Sequence, residues 1–107
     1  MFIALYHWKI KHGSEEKFQE GWHRRTLEIR ANCGGSGSRL HRAEDGSFIA
    51  YAQWKNKEMW ENLPNFPIID KEASAMVRDS IEESLPTTFM EVLDDLLISK
   101  EELKKYE

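Results

Sequence analysis

The order of strand and helix patterns along the chain is the feature that most restricts its fold. Residues 2–11 are rich in β-branched and aromatic side chains and predict a β-strand. Alternation places one set of them on a single face: Phe2, Ala4, Tyr6, Trp8 and Ile10. Because both faces are apolar at the start of the strand, we expect it to be central in its sheet.

A long helix is predicted after this strand, from an N-cap at Ser14 to about Asn32. Two glutamates follow Ser14, where the helix dipole favours acidic residues. Gly34 and Gly35 end the helix, because glycine adopts the positive φ of a C-terminal cap at little cost. The side chains that recur at helical spacing predict its buried stripe: Phe18, Trp22, Thr26 and Ile29.

A β-hairpin follows the helix. Residues 38–43 and 47–54 both predict strands, and the turn between them contains Asp45 and Gly46. Asp-Gly between two strand patterns is a strong hairpin signal. The two strands are therefore expected to pair with each other.

The second half of the chain predicts two helices and a strand. Asn56 caps a short helix over residues 57–62. A longer helix is expected over residues 70–83, closed by Pro86, and the last strand over residues 88–97.

Residues 98–107 form a tail in which Ser99 and Glu102 make a capping box, so one or two further helical turns are expected. A chain of 107 residues has room for one domain with one core. Neither an internal repeat nor a low-complexity linker divides it.

Together these elements predict an α+β domain of ferredoxin-like βαββαβ topology. Two right-handed crossovers share one antiparallel sheet and place the helices on one face. The other face carries too many large apolar side chains to lie in water. We therefore expect a homodimer that pairs through the β-sheet into a dimeric α/β barrel.

Composition excludes several classes of function. The chain is 40% hydrophobic and 32% charged, and its formal net charge is -4. This surface does not favour nucleic acid. Since no apolar run reaches the roughly 20 residues of a transmembrane helix, no membrane partner is expected. The single cysteine, Cys33, and the lack of a secretory leader pattern predict a cytoplasmic protein.

Aromatic side chains predict the character of a binding site. Four Trp, three Tyr and five Phe could line a pocket for a flat aromatic or hydrophobic molecule, although ordinary core packing explains many of them as well. The candidate substrate-binding residues are Tyr6, Trp22, Trp54 and Trp60.

Two histidines and a tyrosine are the candidates for proton transfer. His7 and His41 lie in predicted strands, where either could act as a general base, and Tyr51 could donate to a substrate oxygen. A structural or surface role is the alternative for each. The spacing of histidines and cysteine shows no metal-binding pattern. The glycines at 34–37 follow a helix instead of opening one, so no nucleotide or flavin cofactor is expected.

Three stretches, residues 2–22, 37–60 and 85–97, resemble the antibiotic biosynthesis monooxygenase-like family of dimeric α/β barrels. The resemblance is carried by these motifs: His12-Gly13-Ser14-Glu15-Glu16-Lys17-Phe18 with Trp22, Leu40-His41-Arg42, Asp45-Gly46, Tyr51-Ala52-Gln53-Trp54 with Trp60, Leu85-Pro86 and Asp95-Leu96-Leu97. It implies a cofactor-independent monooxygenase acting on an aromatic or polyketide-like small molecule. The alternative is a non-catalytic dimer of the same fold that binds a small ligand.

The sequence departs from both active branches of that family. The haem-degrading branch resembles this chain at Trp54, but its first-strand Asn is absent from residues 2–11 and its helical His from residues 70–83. Haem degradation is therefore disfavoured. In the quinone-forming branch an Asn precedes the third-strand Trp, whereas Ala50 and Ala52 occupy those positions here.

Overall fold

The structure, a computed structural model, describes residues 1–106. None of the helices in that range is both long and apolar enough to cross a membrane. The elements in chain order are β1 (Phe2–Ile10), α1 (Glu15–Asn32), β2 (Gly35–Arg42), β3 (Phe48–Trp54), α2 (Lys57–Glu61), a 3₁₀ turn (Leu63–Asn65), α3 (Lys71–Ser80), β4 (Ile81–Glu91), α4 (Lys100–Leu103) and a second 3₁₀ turn (Lys104–Tyr106).

The four strands form one sheet in the order β2-β3-β1-β4. Every neighbouring pair is antiparallel, and β1 is central, as its apolar start predicts. The β2–β3 hairpin turns at Gly46, whose φ of 87° is a conformation that glycine adopts readily. The predicted α+β, ferredoxin-like fold is confirmed.

The boundary between the last long helix and the last strand was predicted wrongly. The helix ends at Ser80 instead of residue 83, and β4 begins at once and includes Pro86. Proline is tolerated there because β4 is an edge strand with an irregular register. Thr88 pairs with Leu5 while Leu85 pairs with His7, so Pro86 and the residue after it form a bulge.

Two further boundaries differ from the prediction. β4 ends at Glu91, so Asp94 and Asp95 lie beyond the sheet instead of at the end of the last strand. β2 begins at Gly35 instead of residue 38, and its pairing with β3 is irregular between Gly35 and Ser38.

Helices α1 and α3 pack closely because α1 has a glycine at their contact. A Cβ on Gly21 would lie 2.8 Å from the carbonyl oxygen of Ala73 and 2.8 Å from Cβ of Met76. Ion pairs hold the same two helices together at one end. Arg24 donates from two nitrogens to the carboxylate of Asp70, at 2.8 and 2.9 Å.

Alternation along β1 and β3 divides their side chains between two faces of the sheet. Helices α1, α2 and α3 pack on the inner face, which carries the even-numbered residues: Phe2, Ala4, Tyr6, Trp8, Phe48, Ala50, Ala52 and Trp54. The outer face carries the odd-numbered residues: Ile3, Leu5, His7, Ile49, Tyr51 and Gln53. The centre of the core is Phe18, which is fully buried and packs edge-on against Trp8 and Phe48.

The outer face is covered only in part by the chain itself. Ile3 is buried there, while Leu5, Ile49 and Tyr51 are half-buried. These apolar side chains lie next to one another on neighbouring strands, because Leu5 pairs directly with Tyr51.

The tail leaves the sheet after β4 and exposes apolar side chains. Leu93 is 89% and Leu96 is 84% exposed. The predicted capping box is confirmed, because the Ser99 hydroxyl accepts a hydrogen bond from the backbone N–H of Glu102 at 3.1 Å. It opens the short helix α4.

Candidate functional site

A cavity of about 170 Å³ lies between the inner face of the sheet and helix α1. Three residues of the predicted helical stripe, Trp22, Thr26 and Ile29, form its helical wall, and Val77 of α3 closes one side. These stripe residues are half-buried because they face this space instead of packed side chains. This cavity is more apolar than the wider, open groove that lies beside it between α1 and β2, and it is the candidate functional site.

Small residues open this cavity. On the sheet side it is lined by Gly35, Gly37 and Ser38 of β2 and by Ala52 of β3. Gly37 has a φ of 102°, which an L side chain rarely adopts, so a larger residue there would strain the strand. The cavity therefore depends on Gly35 and Gly37. The sequence pattern indicated only that glycines follow the end of α1.

Two residues that line the cavity each have a buried polar atom with no hydrogen-bond partner within the described residues. These atoms are the indole Nε1 of Trp54 and the hydroxyl oxygen of Ser38. Trp54 is only 3% exposed, and both residues line the cavity. Buried polar atoms are normally paired, so these two atoms are exceptions among the described residues.

Tyr6 places a phenol on the same cavity. Its oxygen accepts a hydrogen bond of 2.8 Å from the indole Nε1–H of Trp60 on α2. Burial raises the pKa of the Tyr6 hydroxyl, and the Trp60 hydrogen bond opposes that shift in part. The hydroxyl therefore keeps its proton at neutral pH and can donate it to a bound oxygen atom.

Arginine supplies the charge at the cavity. Arg25 and Arg30 of α1 both line it. Arg25 is held by the carboxylate of Glu28, which lies 2.9 Å away. Backbone N–H groups of Ile69 and Asp70 also donate to Glu28, and these bonds lower the pKa of its carboxyl group. Arg30 is exposed at the end of α1, so the electrostatics favour a neutral or anionic ligand.

The structure divides the sequence-predicted site residues between the two faces of the sheet. Tyr6, Trp22 and Trp54 line the cavity, and Trp60 contacts it through Tyr6. The other three candidates, His7, His41 and Tyr51, alternate to the outer face. His41 nevertheless lies beside one of the predicted binding residues, because it lines the open groove between α1 and β2 together with Trp22. The catalytic roles of these three residues stay predictions.

The outer-face histidines have other partners. His7 Nε2 lies 2.7 Å from the Ser47 hydroxyl, which donates to Asp45 at 2.6 Å. Because that hydroxyl proton is directed to Asp45, the Ser47 oxygen accepts from His7 Nε2–H. His41 is exposed, and its Nδ1 lies 3.2 Å from the carbonyl oxygen of Ile49. In the described chain no three His, Cys, Asp or Glu side chains converge as metal ligands would.

Sequence reasoning missed Ser38 as a site residue. Ser38 pairs with Ala52, two residues before Trp54 on the neighbouring strand, so its side chain shares the inner face with both. Counting the pairs of the hairpin outward from the Asp45–Gly46 turn would have placed Ser38 opposite Ala52 on the inner face. The predicted strand began at residue 38, and a short polar side chain at the first residue of a strand does not suggest a site.

Comparison with known proteins supports the fold. The sequence matches no protein-family model and no curated protein. In contrast, 36 solved chains match the structure. SnoaB, a cofactor-independent oxygenase from Streptomyces nogalater, superposes with a TM-score of 0.72 at 16% identity, covering 89% of this chain and 95% of SnoaB.

Two other solved structures give the same result. A candidate antibiotic biosynthesis monooxygenase from Caulobacter crescentus has a TM-score of 0.72 at 11% identity, covering 87% of this chain and 90% of its own. Rv0793 from Mycobacterium tuberculosis has a TM-score of 0.69 at 12% identity, covering 90% of this chain and 98% of Rv0793. At such identities the likeness concerns the fold. This chain therefore has the ferredoxin-like fold of proteins named as antibiotic biosynthesis monooxygenases.

Proposed function

We propose that the chain is a cofactor-independent monooxygenase that acts on an aromatic or polyketide-like small molecule held in the inner-face cavity. The observation that carries this proposal is the cavity itself, whose apolar walls include Trp8, Trp22 and Trp54 and whose hydrogen-bond donors include the Tyr6 hydroxyl. The fold shared with SnoaB, an oxygenase by name, supports the same reaction class.

The proposed reaction needs no reductant beyond the substrate. A carbon that bears two hydrogens, activated by a neighbouring phenol or ketone, loses both hydrogens and gains one oxygen atom from dioxygen. The second oxygen atom leaves as water, so the substrate gives four electrons and dioxygen accepts four. The chain's part is to exclude water and to stabilise the negative charge that develops on the substrate oxygen, for which the Tyr6 hydroxyl and the Trp54 N–H are suited.

Haem chemistry does not fit this site. None of the four histidines lines the cavity, so it offers no imidazole ligand for haem iron. We derive no step through haem.

The second candidate function is a non-catalytic module that binds a small ligand in the same cavity. The observation in its favour is the side chain at position 52, where Ala52 lines the cavity and offers no polar group. Such a module would hold an aromatic molecule and leave it unchanged.

Dioxygen uptake separates the two functions. The purified chain is given a panel of phenols, hydroquinones and cyclic aromatic ketones in an oxygen electrode, with ¹⁸O₂ labelling to count the oxygen atoms in the product. Tyr6→Phe is expected to lower kcat by about 100-fold, because it removes one donor to the developing charge. A bound aromatic molecule in native mass spectra, with no uptake from any member of the panel, would favour the module.

His41→Ala is the matched control for that experiment. His41 is exposed and is not among the residues that line the cavity, so the cavity proposal expects kcat within about twofold of wild type. The catalytic role predicted for His41 requires a loss of turnover instead. A loss in His41→Ala with normal turnover in Tyr6→Phe would place the reaction on the other face of the sheet.

We also propose that two copies pair through their outer faces. Leu5, Ile49 and Tyr51 form an apolar patch that the chain covers only in part. A second copy is the occupant that this patch favours, because sheet-to-sheet packing buries apolar residues of both inner strands at once. The expected mass in sedimentation experiments is twice that of the chain, and a monomer at micromolar concentration would contradict the pairing.

A further inference from the structure

The segment that follows β4 carries the most exposed large apolar side chains of the described chain. Beyond Glu91 the chain leaves the sheet, and residues 93–98, which we call the tail segment, run outside it. Leu93, Leu96 and Leu97 of this segment are each at least 79% exposed. The radius of gyration is 14.8 Å, whereas a compact chain of this length has about 13 Å. The tail segment therefore presents apolar surface for a partner to cover.

The backbone of the tail segment is free to pair as well. Among the described residues, none of its backbone groups makes a backbone–backbone hydrogen bond. The Leu97 N–H donates instead to the Asp95 carboxylate at 3.0 Å. Unpaired backbone of this kind can add as a strand to an exposed sheet edge.

Strand β2 offers such an edge. It lies at one end of the sheet and pairs only with β3 in the part of the chain that the structure describes. The groove between α1 and β2 runs beside it and includes Trp22, Leu40 and Phe48, with Glu16 and Glu20 on the α1 side. A free edge beside partly apolar side chains suits an added strand, because the backbone groups bond and the side chains fill the groove.

The charges of β2 and the tail segment are complementary. β2 carries Arg39, His41 and Arg42, all exposed, and no acidic residue. The tail segment carries Asp94 and Asp95, also exposed, and no basic residue. Within residues 1–106 none of these five side chains takes part in an ion pair. The tail segment therefore matches the β2 side of the groove in both charge and apolar character.

The geometry of two paired sheets favours a contact between copies. Sheets that pack face to face lie about 10 Å apart, and six extended residues span about 20 Å. If the twofold axis runs along the strands, the β4 edge of one copy lies opposite the β2 edge of the other. The path to β2 of the same chain crosses the outer face, which the partner covers in the proposed dimer.

We propose that the tail segment of one copy adds as a strand to the β2 edge of a second copy. The inference rests on the pairing of two copies proposed above and is independent of the oxygenase reaction. Trp22 and Ser38 line both the groove and the inner-face cavity, so the partner's tail segment would close the cavity on that side. The candidate site is then complete only in the dimer.

Two full-length variants reverse the charges on the two sides of this contact. The first carries Asp94→Lys with Asp95→Lys, and the second carries Arg39→Asp with Arg42→Asp. Each variant alone places like charges at both tail contacts of its dimer, whereas a mixed dimer places opposite charges at both. We expect native mass spectra of an equimolar mixture to show at least about 90% mixed dimer, against half for random pairing.

A third variant, Lys17→Asp with Lys71→Asp, is the control for net charge. It has the same net charge as the second variant, and both lysines are exposed and lie outside β2 and the groove. Its mixture with the first variant is expected to contain about half mixed dimer, because only one of the two tail contacts is restored.

The apolar part of the contact is tested separately. Leu96→Ser with Leu97→Ser is expected to raise the dimer Kd by about tenfold or more, since two leucines lose the cover of the partner. Leu27→Ser is the control, because Leu27 is partly exposed on α1 and outside the proposed contact. Circular dichroism checks that each variant is folded.

Random pairing of the first two variants would overturn the inference, and a tail segment bound to its own chain would give that result. An unchanged dimer Kd in Leu96→Ser with Leu97→Ser would overturn it too. In both cases a wild-type dimer keeps the sheet pairing, whereas a wild-type monomer refutes both. Preference for the mixed dimer with no dioxygen uptake would support the inference and refute the oxygenase, and uptake without that preference would do the reverse.

Discussion

The inner and outer faces of the sheet carry similar aromatic and aliphatic side chains, yet they meet different surroundings. The inner face is covered by helices of the same chain, which leave a cavity at a patch of small residues and a wider groove between α1 and β2. The outer face has no such cover from those helices, and its polar groups bond to one another near the β2–β3 turn. Because alternation fixes these faces, residues adjacent in sequence, such as Tyr6 and His7, cannot share a site within one chain.

The inner and outer faces are also expected to stabilise the protein in different ways. Burial on the inner face belongs to the folded chain at any protein concentration. In the proposed dimer, a second copy would bury the half-buried residues of the outer face, so their contribution to stability should rise with protein concentration. Substitutions on the two faces can therefore be told apart by how their effects depend on concentration.

The largest effect is expected on the inner face. Phe18→Ala removes a fully buried ring between Trp8 and Phe48 and should lower the free energy of unfolding by about 3–5 kcal/mol. Leu27→Ala on the same helix is the control, because Leu27 is exposed and its loss should change stability by about 0.5 kcal/mol or less. Denaturant titration at two protein concentrations measures both. A loss under about 1 kcal/mol for Phe18→Ala would refute the central place of this ring.

The next effect is expected on the outer face. Leu5→Lys places a charge in the apolar patch and should raise the dimer dissociation constant by about 100-fold or more, because that charge would be buried without a partner. Leu5→Met keeps the volume and serves as the control. Sedimentation equilibrium measures the constant, and circular dichroism checks that the monomer stays folded. An unchanged dimer in Leu5→Lys would place the interface elsewhere.

The sequence was sufficient for the order of the elements, since alternation, caps and turn residues act locally. The Asp45–Gly46 turn and the Asn56 cap both occur as predicted. The helix expected to end near residue 83 ends at Ser80. Pro86 lies in the following strand because a proline is tolerated in a bulged edge strand, and the edge position of β4 is a property of the whole sheet.

The cavity could be predicted only in part. Alternation along β1 already separates Tyr6 from His7, so the sequence contained the division of the site residues between the faces. The space itself arises where Gly35 and Ser38 of one strand lie beneath the α1 side chains. That arrangement depends on the angle at which a helix crosses the sheet, for which no local pattern exists.

A moderate effect is expected at neutral pH where α1 contacts the start of α3. The pKa of the Glu28 carboxyl is lowered by backbone N–H groups at the start of α3. A lowered pKa in the folded state means that its stabilisation is complete above the unfolded pKa of about 4.3 and is lost as the pH falls through the folded value. Glu28→Gln should therefore reduce stability at pH 7 by about 1–2 kcal/mol and make the acid loss of stability shallower.

Unfolding free energies measured from pH 7 down to pH 3 test this prediction. Glu20→Gln is the control, because Glu20 lies exposed on the same helix. An acid slope in Glu28→Gln equal to that of wild type would show that the carboxylate does not hold α3 to α1.

The smallest effect is expected on the outer face, at the chain of hydrogen bonds from His7 through Ser47 to Asp45. The pKa of the Asp45 carboxyl is lowered chiefly by the Ser47 hydroxyl and then by the Ser47 backbone N–H. Ser47→Ala removes the hydroxyl and keeps the backbone donor, so the pKa of Asp45 should rise towards its ordinary value without reaching it. Carboxyl ¹³C shifts measure that pKa, and the effect on stability should be the smallest of the four, because Asp45 is exposed to solvent. An unchanged pKa of Asp45 in Ser47→Ala would indicate that the Ser47 hydroxyl donates to His7 and not to Asp45. His7 Nε2 would then be the acceptor, which contradicts its assignment as the donor.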